Sequence, residues 1–97
     1  MAKRRVKPMA AHPGEILREE FMKPMGISAY QLAKALHAPG VYEIVREERA
    51  ISATLALKLG KYLGTTPEFW MNLQTDYDLR LAAASASLGR IKRRLAA

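Results

Sequence analysis

Residues that stop helices recur along this chain at Pro24, Gly26, Pro39-Gly40 and Gly64, and cut it from residue 12 onward into short segments. Each segment opens on a residue suited to starting a helix. Pro13 is acceptable in a first helical turn, and Glu15 is favourable near it. Ser28 and Ser52 can cap helices with their hydroxyls, and Thr66-Pro67-Glu68 combines a capping hydroxyl, a first-turn proline and an acid. Between these signals the spacing is helical. Ile16, Leu17, Glu20, Phe21 and Met25 mark a first helix that Lys23-Pro24 should end. Leu32, Ala33 and Leu36 form one apolar face of a second, while Val41, Ile44 and Val45 give a short third. Leu55, Leu59 and Leu63 mark a fourth, and Phe69, Trp70, Leu73, Tyr77, Leu79 and Leu81 carry a fifth toward residue 84. No stretch alternates strictly, and no Asn-Gly or Asp-Gly hairpin signal occurs. The expected fold is all-α, five helices in one compact domain.

Size and composition agree with that expectation. A chain of 97 residues with 49% hydrophobic residues has enough for one core. With no cysteine there is no disulfide framework and no thiolate metal site. No apolar run reaches the roughly 18–20 residues of a membrane span, and the basic start is followed by Pro8, His12 and Pro13 rather than by a signal-peptide core. A cytoplasmic protein without membrane contact is expected. Enzyme chemistry has little support. His12 and His37 fall in separate loops, the glycines are scattered singly, and the adjacent pairs Glu19-Glu20 and Glu47-Glu48 point about 100° apart on a helix. Neither a catalytic residue nor a cofactor is expected.

Charge is unevenly placed. The net charge of +7 resides in the ends: Lys3, Arg4, Arg5 and Lys7 stand in residues 1–11 without an acid, and Arg90, Lys92, Arg93 and Arg94 stand in the last eight residues. The body between carries all nine acids and is nearly neutral. Such arms either track nucleic-acid phosphate or merely aid solubility. The organisation expected is a flexible basic arm over 1–11, a helical domain over 12–84 and a basic tail over 85–97.

The segment Ser28 to Arg49 has the outline of a helix-turn-helix, whose second helix can enter a DNA major groove. Leu32, Leu36, Val41, Ile44 and Val45 would lock the two helices together, leaving Tyr42, Glu43, Arg46 and Glu47 on or near the exposed side. An ordinary helical hairpin would share this outline. The Phe69-Trp70 pair is read as core rather than as a docking patch.

His12-Pro13-Gly14-Glu15-Ile16-Leu17, Gly26-Ile27-Ser28 and Leu32-Ala33-Lys34-Ala35-Leu36 resemble the opening of HigA-type antitoxins. Glu43-Ile44-Val45, Arg49-Ala50-Ile51-Ser52 and the block Leu63-Gly64-Thr65-Thr66-Pro67-Glu68-Phe69-Trp70-Met71-Asn72-Leu73-Gln74 extend the likeness, within the Xre-like, repressor-type helix-turn-helix family. The resemblance implies a homodimer on a double-stranded DNA operator. It also implies neutralisation of a cognate HigB-type toxin, a RelE-like mRNA endonuclease, and repression of the protein's own operon. The alternatives are a free-standing regulator without a toxin, and a toxin-binding protein that has lost DNA reading.

Carried over to this chain, the pattern makes Ser28 a candidate phosphate contact, although the neighbouring place, often Gln, is Ala29. Glu43 falls where a base-reading side chain sits and could accept from a cytosine amino group. Gly40 and Tyr42 lie at the start of the recognition helix, Arg46 would face phosphate or a base, and Arg49 phosphate. Two features depart from the family. About two residues are missing between Leu36 and Glu43, at the helix end where base contacts concentrate, through either true shortening or residues absent from the sequence. Glu47 replaces a common turn glycine, which implies either a longer helix or a strained turn.

Overall fold

Caps set the start of every helix but the third. In this computed structural model, which describes residues 11–95, the first helix (α1) comprises a turn Pro13–Ile16, a wider π-helical stretch Leu17–Met22 and a closing turn Lys23–Met25. Then follow α2 (Ala29–Leu36), α3 (Val41–Val45), α4 (Ala53–Leu63) and α5 (Pro67–Ser85), with no strand among the described residues. The hydroxyls of Ser28, Ser52 and Thr66 each accept from the backbone N–H three residues on, as their positions predict. At α2 the cap is reciprocal, because Gln31 Oε1 accepts from Ser28 N–H at 2.8 Å. His12 caps α1, its Nδ1 accepting from Gly14 N–H at 2.9 Å, and its ring lies edge-on to Tyr77 at 4.9 Å.

Pro24 does not end α1. In the π-helical stretch the ladder reaches back five residues, with Lys23 N–H bonded to the Arg18 carbonyl. A new turn then starts at Lys23, so the N–H that Pro24 lacks falls in the first turn of the closing segment, where it is least missed. The helix stops two residues later, at Gly26 with φ +66°. The wider turn also shifts the buried face, so that Met22 is buried and Met25 exposed.

The core gathers Leu17 and Met22 from α1, Leu32 and Leu36 from α2, Val41 and Ile44 from α3, and Leu55, Ala56 and Leu59 from α4, together with Ile51 and Trp70. Val45 is only half-buried. Trp70 is fully buried, and its Nε1 donates to Thr65 Oγ1 at 2.7 Å. Phe21 packs beside it with ring centroids 5.2 Å apart, and Phe69 completes the cluster. The tryptophan is therefore core, as its place at a helix start predicts. Beyond Tyr77, α5 leaves the core: Leu79 is 65% exposed, and so in similar measure are Leu81, Leu88 and Ile91. Residues 86–95 are exposed and carry no helix, whereas the expected arm at 1–11 lies almost wholly outside the described residues. No helix among the described residues is long and apolar enough to cross a membrane.

Candidate nucleic-acid interface

α2 ends on His37 in the left-handed conformation (φ +53°), and the Ala38 N–H closes the turn on the Ala33 carbonyl at 2.9 Å. Ala38, Pro39 and Gly40 then lead straight into α3. Lys58 of α4 donates to the His37 carbonyl at 3.3 Å, which ties the turn to the scaffold. With Val41 and Ile44 buried, α3 has only five residues and must present everything else outward.

The far end of α3 is held by α1. Arg18 donates through Nη1 to the Val45 carbonyl at 2.6 Å, through Nη2 to Glu47 Oε2 at 2.9 Å, and through Nε to Glu19 Oε2 at 3.0 Å. Partial burial works against the Arg18 charge, but its bonds to Glu47 and Glu19 win and raise its pKa above the ordinary value. Hydrogen bonds from Lys23 and Arg18 hold the Glu19 carboxyl below its ordinary value. Glu47 adopts φ +65°, so the strained turn is the outcome and α3 does not continue. Arg18 escapes sequence reading because its partners lie 27 and 29 residues away.

α1 also crosses α3 at close quarters. A Cβ on Gly14 would stand 1.8 Å from the Ile44 carbonyl oxygen. The glycine of the His12-Pro13-Gly14-Glu15 motif is thus required by contact rather than by a turn. On the opposite side the buried Gln74 of α5 accepts from Ile51 N–H at 2.8 Å and donates to Asp78 at 2.9 Å. That bond anchors the segment between α3 and α4.

Five of the six nominated residues come together. Gly40, Tyr42, Glu43, Arg46 and Arg49, with Pro39, line an open depression of about 520 Å³. Ser28 stands apart from it, exposed at the N-terminus of α2, with its oxygen engaged in the cap. The charges on the depression are paired. Arg49 binds Glu43 through Nε and Nη2, and Arg46 Nε donates to Glu48 Oε1 at 3.2 Å. Among the described residues no group of His, Cys, Asp or Glu is placed to hold a metal. An exposed helical edge with fixed guanidinium groups suits a polyanionic groove.

Comparison with known proteins gives a consistent picture. No family model matches the chain. Virulence-associated protein I of Dichelobacter nodosus is 59% identical over 75 residues, which cover 75% of this chain and 69% of that protein. The antitoxin GraA superposes with a TM-score of 0.84 at 49% identity, covering 91% of this chain and 100% of that one. The antitoxin HigA of Pseudomonas aeruginosa, solved with the higBA promoter, superposes with a TM-score of 0.77 at 48% identity, covering 88% of this chain and 98% of that one.

Proposed function

The chain belongs to the HigA-type antitoxins of the Xre-like helix-turn-helix family, and from that membership we propose that it binds an operator in its own promoter as a homodimer, represses that operon and neutralises a RelE-like mRNA endonuclease toxin. The observation that carries the DNA-binding part is the outward depression at α3 that gathers Gly40, Tyr42, Glu43, Arg46 and Arg49. GraA, solved in complex with its operator, shares 48% identity with this chain over 95% of its length. In this reading Arg46 and Ser28 position the protein on phosphate, and α3 lies in the major groove. The exposed Arg90, Lys92, Arg93 and Arg94 add sequence-independent attraction. Leu79, Leu81, Leu88 and Ile91, exposed in the single chain, supply the apolar surface of the dimer.

The shortness of α3 and the pairing of the arginines that follow it favour one second reading, a toxin binder that has lost DNA recognition. One experiment separates them. A RelE-like toxin encoded beside this chain's gene is expressed alone and together with this chain, beside a reporter under the operon promoter. Growth arrest relieved by the chain, with the reporter repressed, is expected. Relief without repression selects the toxin binder; no relief refutes the antitoxin role.

A further inference from the structure

The Glu43–Arg49 pair does more than neutralise charge. The Arg49 side chain crosses Gly40, with its Nε, Cδ and Cζ only 3.6–3.9 Å from where a Gly40 Cβ would stand. Gly40 immediately precedes α3, so the guanidinium lies over the N-terminal end of the recognition helix, where base contacts concentrate. The family pattern puts longer chain at this end, and here Arg49 fills the space instead.

The direction of the guanidinium is set by its partner. Glu43 Oε1 takes the edge formed by Nε and Nη2. The opposite edge, formed by Nη1 and the outer N–H of Nη2, is the fork that matches O6 and N7 of guanine. Arg46, held through Nε by Glu48, differs in place: it stands at the C-terminal end of the short helix, away from the end where base contacts concentrate.

We propose that Arg49, oriented by Glu43, reads a guanine in the major groove, with Glu43 acting as a positioning residue rather than as a base contact. This rests on the DNA-binding reading above, and it reverses the roles that the family pattern implies for the two residues. Both side chains are about half exposed, so their substitution leaves folding nearly unchanged.

The probe is a set of short duplexes enriched from a randomised pool by the full wild-type chain, with a scrambled duplex as control. Replacing the guanine that Arg49 reads by 7-deazaguanine removes the N7 acceptor. It should weaken wild-type binding by about 5-fold or more at fixed salt and leave Arg49→Ala without further loss. Glu43→Gln should lose most of this discrimination while binding the scrambled duplex as well as wild type or better. Arg49→Lys should keep scrambled-duplex binding without recovering the discrimination, because an ammonium lacks the fork. The inference is overturned if Glu43→Gln tightens both duplexes equally, which makes Glu43 a mere competitor for the arginine. It is overturned equally if Arg49→Ala weakens both duplexes alike, which makes Arg49 a phosphate contact. If the wild type enriches no sequence, the DNA-binding reading itself fails and takes this inference with it.

Discussion

Gly14→Ala sets two physical effects of opposite sign against each other. Gly14 lies in the first turn of α1 with no positive φ, so helix propensity alone favours alanine by up to about 1 kcal/mol. The crossing with α3 says the reverse. The added Cβ would meet the Ile44 carbonyl oxygen at 1.8 Å and its carbon at 2.9 Å, and both are backbone atoms that no rotamer change can move. Restoring ordinary contact requires the two helices to part by about 1.5 Å, which opens the buried layer around Leu17, Val41 and Ile44. Overpacking of this kind costs about 3 kcal/mol or more when the backbone must shift. Less the propensity gain, about 2 kcal/mol remains, which for a domain of this size corresponds to a loss of roughly 8–16 °C in Tm. Thermal and urea denaturation of the two proteins measure it directly. A Tm within about 4 °C of wild type, or an increase, would refute the close approach of α1 and α3 and with it the way α3 is held.

Three further outcomes follow from the same packing. Gln74→Ala leaves the buried Ile51 N–H without its acceptor and should destabilise by about 1–3 kcal/mol, with faster amide exchange at Ile51; unchanged exchange would contradict it. Glu47→Gly removes left-handed strain worth about 1–2 kcal/mol together with a partly exposed ion pair to Arg18. The two nearly cancel, so the variant should stay within about 1 kcal/mol of wild type in urea titration; a larger loss would exclude the strain at this turn. Replacing Leu79 and Leu81 by Glu adds charge to an exposed surface and should leave Tm nearly unchanged while sedimentation shows a monomer; a persisting dimer would move the interface elsewhere.

What could be read from the sequence was what depends on near neighbours. The caps Ser28, Ser52 and Thr66 act on an N–H three residues away, and the spacing of Leu32, Leu36, Leu55 and Leu59 reports a face directly. Pro24 misled because the effect of a proline depends on the ladder it enters, and the π-helical stretch before it leaves no trace in apolar spacing. The candidate site was legible as a set of residues and not as an arrangement. Gly40, Tyr42, Glu43, Arg46 and Arg49 do share one surface, but the pairing of Glu43 with Arg49 spans the turn after α3 and depends on where that helix stops. Arg18, Gly14 and Gln74 hold the site through contacts 23 to 30 residues away in sequence, beyond any local pattern.

The central claim is that α2 and α3 place this chain on a particular DNA sequence. Its most direct test is fluorescence anisotropy at fixed salt on the promoter DNA of the chain's own operon, upstream of that operon's first reading frame, and on a scrambled duplex, with wild type and Arg46→Ala side by side. The account predicts that wild type prefers its upstream DNA by about a thousandfold or more. It also predicts that Arg46→Ala weakens binding to both duplexes about equally, as loss of a positioning contact should. Equal wild-type affinity for the two duplexes, or an Arg46→Ala variant that binds both as tightly as wild type, would contradict it.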